Sequence, residues 1–153
     1  MTFRLSQRSM KRLEGVHPDL VKVVQRAIEV TEVDFGVLEG RRSLARQRKL
    51  VEAGASTTMR SRHLTGHAVD LGAYIGSRVA WDWPLYHKIA AAMKQAASEL
   101  NIPIEWGGAW GRLLNDFSSA DLASESYTDE RRSQGRKPFL DGPHYQLPWE
   151  NYP

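Results

Sequence analysis

The spacing of apolar residues predicts two main helices. The first begins at Pro18, and its apolar side chains recur at positions i, i+3, i+4, i+7 and i+8, as on one helical face. The second begins at Pro84 and reaches about Leu100. Proline suits both starts because the first turn of a helix leaves its N–H groups unpaired in any case. The first face contains Leu20, Val23, Val24, Ala27 and Ile28; the second contains Leu85, Ile89, Ala92, Met93, Ala96 and Leu100. We interpret both faces as core packing.

Two shorter helices are predicted from their caps. Ser6 can cap a helix that ends near Gly15, and Ser43 can cap another that runs to about Ala53. Glycine is typical of the position just after a helix, where the backbone turns left-handed.

Four short segments predict strands between these helices. They are Asp34–Glu39, Ala68–Tyr74, Ile102–Trp106 and His144–Leu147. The alternation of helices and short strands predicts an α+β fold, in which helices pack on a small antiparallel sheet. With 153 residues, the chain has the length of one domain, which we place at residues 1–153.

Residues 111–138 differ from the rest of the chain. They contain five acidic and five basic residues and few large apolar ones. We expect a surface insertion here, with a helical turn around residues 118–126.

Composition excludes several kinds of chemistry. The sequence contains no cysteine, which excludes a disulfide scaffold, a thiolate nucleophile and any metal site built on sulfur. The formal net charge of +3 favours polyanionic partners without choosing among them. No apolar run approaches the ~18 residues of a membrane span, so no membrane insertion is expected. The first fifteen residues lack the apolar stretch of a secretion signal, so we expect synthesis in the cytoplasm.

Two histidine-containing segments are candidates for a metal site. His63 precedes Asp70, which lies in a predicted strand, and Gly66 between them permits a sharp turn. His144 lies in another predicted strand and follows Asp141 by three residues. Two histidines and one aspartate suit a catalytic zinc ion, which keeps one position for water, and Asp141 could act as the base. The spacing alone also permits packing or surface histidines, and residues 141–144 could form an ordinary turn.

The first segment resembles a motif of a zinc peptidase family. This family includes D-alanyl-D-alanine carboxypeptidases, dipeptidases and phage L-alanyl-D-glutamate endopeptidases that act as endolysins. Residues 61–70 match its S-x-H-x-x-G-x-A-x-D motif at every fixed letter, and the Asp141–His144 pair matches its second motif. Residues 106–110 (WGGAW) and 40–43 (GRRS) resemble two further stretches of the family. The resemblance covers most of residues 35–147.

This resemblance implies a role for several residues. It implies that His63, Asp70 and His144 bind Zn²⁺ and that Asp141 is the catalytic base. It implies that Arg42 faces the active site and steadies substrate or an oxyanion, which suits a permanent cation with a fork of donors. His67 would fill the position of the water if it were a fourth ligand, so we place it at the rim of the cleft instead.

Three further residues are candidates for substrate binding. Ser61 either bonds a ligand residue or substrate, or caps a turn. Gln47 either reaches substrate from its helix or is an ordinary polar residue of the helix surface. The tryptophans are expected mostly in the core, but either Trp106 or Trp110 is expected to line the cleft.

The resemblance implies a zinc peptidase that cuts the peptide stem of peptidoglycan. We expect cleavage between L-alanine and D-glutamate, and rank removal of terminal D-alanine second. A non-catalytic, zinc-containing module that binds the cell wall is the alternative of another class. The sequence lacks the compact H-x-D spacing that is typical of a non-haem iron oxygenase. Only the net charge favours nucleic-acid binding.

The resemblance to endolysins also predicts the setting of the reaction. We expect accumulation in the cytoplasm of the bacterial host, and a monomer as the default state of a single domain. It would reach the wall at lysis, once a separate holin-type partner has permeabilised the membrane.

Overall fold

The computed structural model describes residues 2–153 and has the predicted α+β fold. Helices and a small antiparallel sheet form a single domain. The helices are α1 (Gln7–Arg12), α2 (Pro18–Val30), α3 (Leu44–Glu52), α4 (Trp83–Leu100) and α5 (Ala120–Ser133). The strands are β1 (Phe35–Glu39), β2 (Ala68–Ile75), β3 (Arg78–Ala80), β4 (Glu105–Trp106) and β5 (His144–Gln146). Two 3₁₀ turns span Arg62–Thr65 and Leu114–Asp116.

The predicted helix starts are confirmed. The side chains of Ser6 and Ser43 accept hydrogen bonds from backbone N–H groups of the first turns of α1 and α3. All five residues of the predicted α2 face are buried. On α4 the middle of the predicted face is buried, whereas Leu100 at its end is 39% exposed. Helix α4 packs against both α2 and the sheet, and the core lies between them.

The strand order places the candidate site at the centre of the sheet. Strands β1, β2, β5 and β4 are neighbours in that order, all antiparallel, and β3 adds to β2. In this register Glu39 lies opposite Asp70, and Asp70 lies opposite His144. Three polar side chains from distant parts of the chain therefore become neighbours across three strands.

Two strand predictions need correction. The hairpin strand β3 was not predicted, since its three residues follow a turn with no alternation to mark them. The strand predicted over Ile102–Trp106 is only two residues long. The reason is that the amide of Asn115 bonds both the N–H of Ile104 and the carbonyl of Ile102, so these groups do not join a ladder.

The segment 111–138 is more ordered than the sequence predicted. In place of one helical turn, α5 runs for 14 residues, with Ser119 as its N-cap. Ala120, Ala123 and Tyr127 are buried, and α5 packs on α4. Their i, i+3, i+7 spacing is a helical pattern. It is weak in the sequence because two of the three residues are alanines and most of their neighbours are polar or charged. That the segment is an insertion stays a prediction.

Within residues 2–153, no helix is both long enough and apolar enough to cross a membrane.

Candidate metal centre and active-site cleft

The structure brings His63, Asp70 and His144 together. His63 lies in the 3₁₀ turn Arg62–Thr65, which Ser61 caps by accepting a hydrogen bond from the backbone N–H of His63 at 3.2 Å. Gly66 ends this turn with a φ of 77°, a left-handed conformation that glycine adopts without strain. The chain then enters β2, where Asp70 faces His144 of β5. The local turn and the sheet register thus aim three side chains at one point.

Hydrogen bonds select the ring nitrogens that face this point. His63 Nδ1 donates to the carbonyl of Gly40 at 2.8 Å, and His144 Nε2 donates to Gln146 Oε1 at 2.8 Å. Both acceptors are oxygens, so each imidazole has its proton on that side. His63 Nε2 and His144 Nδ1 are then free to present lone pairs. Such outward bonds are typical of metal-ligating histidines, whose tautomer and orientation they fix.

The spacing of the three donor atoms fits a metal ion. Asp70 Oδ1 lies 3.2 Å from His63 Nε2 and 3.3 Å from His144 Nδ1. One ligand atom from each residue lies within 4.8 Å of the others. Tetrahedral ligands at ~2.0–2.1 Å from zinc stand roughly 3.3 Å apart, which agrees with the two short separations. The residues fit a divalent cation held by two nitrogens and one oxygen.

The electrostatics of the centre keep Asp70 ionised. Burial by itself would raise the pKa of Asp70, but the adjacent His144 and His63 imidazoles hold it well below its usual range. Burial by itself would lower the pKa of His144, but the adjacent Asp70 carboxylate outweighs this effect and raises that pKa. A carboxylate that stays charged inside the protein is a strong oxygen ligand for a cation.

Arg42 lines the same cleft and is held rigidly. Its side chain is 9% exposed and forms a two-pronged ion pair with Glu39 at 2.7 and 2.8 Å. A third bond runs from Nη1 to Gln47 Oε1 at 2.7 Å, and Nη2 approaches Asp70 Oδ2 at 3.9 Å. The backbone N–H of Arg42 donates to the carbonyl of His63. These contacts fix the guanidinium beside the candidate ligands and leave part of its fork free.

The structure corrects the prediction for Gln47. This side chain is fully buried and cannot contact substrate. Its carbonyl accepts from Arg42, while its amide donates to Ser56 Oγ and to the carbonyl of Thr58. Gln47 therefore ties Arg42 to the loop that follows α3. A polar residue on a polar helix gives no sign in the sequence that it is buried.

Asp141 lies at the cleft next to the three candidate ligands. Its backbone N–H donates to the carbonyl of Gly107 at 2.9 Å, and the N–H of Gly107 donates to the carbonyl of His144 at 2.8 Å. A Cβ on residue 107 would overlap the carbonyl of Asp141, so glycine is required for this close approach. Burial raises the pKa of Asp141, with the charge of Asp70 adding to it. A carboxylate with a raised pKa is a better proton acceptor.

The walls of the cleft differ from the prediction. Trp106 is 0% exposed, its ring packs in the core and its Nε1 donates to the carbonyl of Gly142, so it does not touch substrate. Trp110, the other candidate, does line the cleft, together with Phe139 and Trp149. The WGGAW segment alternates a buried and a cleft-facing tryptophan, and sequence alone could not say which was which. The cavity volume is about 590 Å³.

Ser61 and His67 complete the predicted set. Ser61 lines the cleft while capping the turn, so a contact with substrate stays a prediction. His67 is not at the cleft rim: its ring packs near His17 and Tyr152, and its Nδ1 lies 2.6 Å from Thr65 Oγ1.

Sequence reasoning missed two residues that support the centre. Glu39 neutralises Arg42, and Gln146 orients His144. Gln146 follows His144 by two residues and so lies on the same face of β5, a signal that could have revealed it. Glu39 precedes Arg42 by three residues, a spacing that could have suggested the ion pair, and the register of β1 with β2 places it opposite Asp70.

Comparison with known proteins gives consistent results. A family model described as phage L-alanyl-D-glutamate peptidase matches residues 1–147. An L-alanyl-D-glutamate peptidase of Escherichia phage T5 is 31% identical over 151 residues, which cover 96% of this chain and 99% of that protein. One from Listeria phage A118 is 28% identical over 119 residues, covering 76% of this chain and 41% of that protein. The crystal structure of the Serratia marcescens L-Ala D-Glu endopeptidase ChiX is similar with a TM-score of 0.76 and 43% identity, over 99% of this chain and 95% of that one.

Proposed function

The chain belongs to the phage L-alanyl-D-glutamate peptidase family and is a cell-wall peptidase, and we propose that it hydrolyses the L-alanyl-D-glutamate bond of the peptidoglycan stem in a zinc-dependent reaction. The observation that carries the proposal is the group of His63, Asp70 and His144, with Asp141 beside it in one cleft. Two neutral nitrogens and one carboxylate leave a tetrahedral ion one position for water.

Zinc held by these residues would supply a Lewis acid for the scissile carbonyl and lower the pKa of a coordinated water to about 7. Asp141 is the group placed to accept a proton from the attacking water. The same carboxyl then delivers that proton to the amine of D-glutamate as the C–N bond breaks. A positioned base typically contributes ~10²–10⁴ in rate.

Arg42 is suited to stabilise the oxygen that gains charge during attack. Its guanidinium is fixed before substrate arrives, because Glu39 and Gln47 hold three of its donors. Preorganised donors are effective because they need no rearrangement as charge develops. Since Glu39 balances the charge of Arg42, the remaining donors can act without an isolated buried cation.

The experiment uses purified peptidoglycan and the purified protein with zinc. Mass spectrometry of the released fragments should show new N-terminal D-glutamate, which should vanish on chelation and return with zinc. Asp141→Asn should keep zinc content and thermal stability, yet lower turnover by roughly 10²–10⁴. Asp129→Asn, an exposed aspartate of α5, is the matched control and should cleave as wild type does.

Three results would contradict parts of this proposal. Free D-alanine as the product would instead indicate a carboxypeptidase. Intact stems despite stoichiometric zinc would indicate a wall-binding module. Unchanged turnover in Asp141→Asn would remove this residue from the mechanism.

We also propose the biological setting of the reaction. The protein is a monomeric endolysin that accumulates in the cytoplasm of the bacterial host and acts at lysis. Its access to the wall requires a separate holin-type protein that permeabilises the membrane. Expression in bacteria without such a protein should leave cells intact until the membrane is permeabilised chemically; lysis without that step would refute the requirement.

A further inference from the structure

The cleft contains one exposed arginine that forms no ion pair with the described residues 2–153. Arg42, Arg60 and Arg62 all line it. Arg42 is paired with Glu39. Arg62 is only 3% exposed, and its guanidinium donates to the backbone carbonyls of Leu147 and Tyr152. Arg60 is exposed, and among residues 2–153 no carboxylate lies within ion-pairing distance of it.

The Arg60 side chain lies beside Trp149, which also lines the cleft. The Arg60 guanidinium lies 5.3 Å from the centre of the Trp149 ring, and that of Arg62 lies 4.0 Å from it. Stacking on an aromatic ring leaves the N–H groups at the edge of a guanidinium free to bind an anion. The backbone of Arg60 is also held in place, because its N–H donates to Thr58 Oγ1. The next residue, Ser61, caps the turn that contains His63.

The chemistry of the substrate supplies an anion near the bond that is cut. Glutamate has two carboxyl groups, and the peptide continues through only one of them. A glutamyl residue on the leaving side of the scissile bond therefore carries one free carboxylate. A carboxylate and a guanidinium can pair through two parallel hydrogen bonds, which fixes orientation as well as charge.

We propose that Arg60, stacked on Trp149, binds the free carboxylate of the D-glutamyl residue and selects substrates in which this carboxyl is ionised over those in which it is an amide. The inference rests on the proposed L-alanyl-D-glutamate specificity and deepens it. Arg60 is a binding residue on the leaving side of the scissile bond. Its role is distinct from that of Arg42, which stabilises the oxygen of the scissile carbonyl.

The test compares two synthetic stem peptides that differ only at this group. One has the free glutamyl carboxylate and the other has the corresponding primary amide. Wild-type protein should cleave the carboxylate peptide with a kcat/KM about tenfold or more above that of the amide peptide, as for the loss of a charged hydrogen bond. Arg60→Gln should lower kcat/KM on the carboxylate peptide by the same factor, mainly through KM, and leave the amide peptide unchanged.

Two further variants sharpen the test. Arg60→Lys keeps the charge without the planar fork and should recover part of the preference. Arg48→Gln removes an exposed arginine of α3 that does not line the cleft, and should behave as wild type. Thermal unfolding should be unchanged in all three, because both arginines are exposed.

The outcomes separate this inference from the proposed function. Cleavage of both peptides with equal efficiency by the wild type would overturn the inference and leave the proposed function standing. Equal losses on both peptides in Arg60→Gln would also overturn it, because Arg60 would then act through the loop. Cleavage of neither peptide by the zinc-loaded wild type would reject the proposed function itself.

Discussion

Replacing Gly107 by alanine should lower activity by moving Asp141, the proposed base. The added methyl group would overlap the backbone carbonyl of Asp141 and lie 3.0 Å from the Asp141 Cβ. The two segments must separate by about 1 Å to restore an ordinary contact, and a 1 Å misplacement of a catalytic group costs ~10²-fold in rate. The φ of Gly107 is not in the left-handed region, so the contact alone causes the effect.

The loss in kcat should exceed what destabilisation explains. Overpacking of this kind costs roughly 1–3 kcal/mol of unfolding free energy, which a protein of ordinary stability survives at 25 °C. The assay measures kcat on a stem peptide, zinc content and thermal unfolding on the same sample. Zinc content must be measured because the Asp141 carbonyl also accepts from the N–H of His144, so the substitution could displace this candidate ligand as well.

Gly76→Ala is the control for adding a methyl group to a glycine. Gly76 has a φ of 64° and open space around its position, in the hairpin between β2 and β3. Its replacement should cost stability, by roughly 1–2 kcal/mol for the left-handed backbone, and leave kcat unchanged. A folded, zinc-loaded Gly107→Ala protein with wild-type kcat would refute the reasoning, since the position of Asp141 would then not limit the reaction.

Two further predictions concern polar contacts. Gln146→Leu removes the acceptor that orients His144 and should weaken zinc binding by about 10–100-fold in chelator competition; unchanged affinity would show that this bond does not matter. The Tyr152 hydroxyl donates to Asp19 Oδ2 at 2.7 Å, and burial together with this carboxylate raises its pKa to about 12. Because its folded pKa lies above the unfolded value of ~10, its stabilisation is complete below pH 10 and is lost as pH rises toward 12. In urea unfolding, the stability difference between wild type and Tyr152→Phe should therefore shrink over that interval, and a constant difference would contradict the linkage.

Much of the helical structure follows from local signals. The caps Ser6 and Ser43 and the apolar face of α2 depend on neighbours within eight positions, and the structure has each of them. Only one turn of helix α5 was predicted because its buried residues are mainly alanines, and their burial depends on the presence of α4. Strand β4 was predicted too long because a distant side chain, Asn115, takes the backbone groups that a ladder would use.

The candidate metal centre likewise depends partly on local sequence and partly on the tertiary structure. The S-x-H-x-x-G-x-A-x-D motif includes the 3₁₀ turn and the first residues of β2. His63 and Asp70 are therefore brought together by the local path of the chain. His144 carries a motif of its own, and the structure places it opposite Asp70. That these three residues bind zinc stays a prediction, as do the roles of Asp141 and Arg42.

The sequence by itself determined the helix starts, the main apolar faces and the residue types of a two-histidine, one-aspartate centre. These features depend on the period of the backbone and on short spacings. Only the tertiary structure decided which polar and aromatic side chains meet the cleft. It buried Gln47 and Trp106, placed Glu39 opposite Asp70 and left Arg60 exposed. The physical reason is that exposure and charge pairing depend on sheet register and on contacts between distant segments, which residue type alone does not specify.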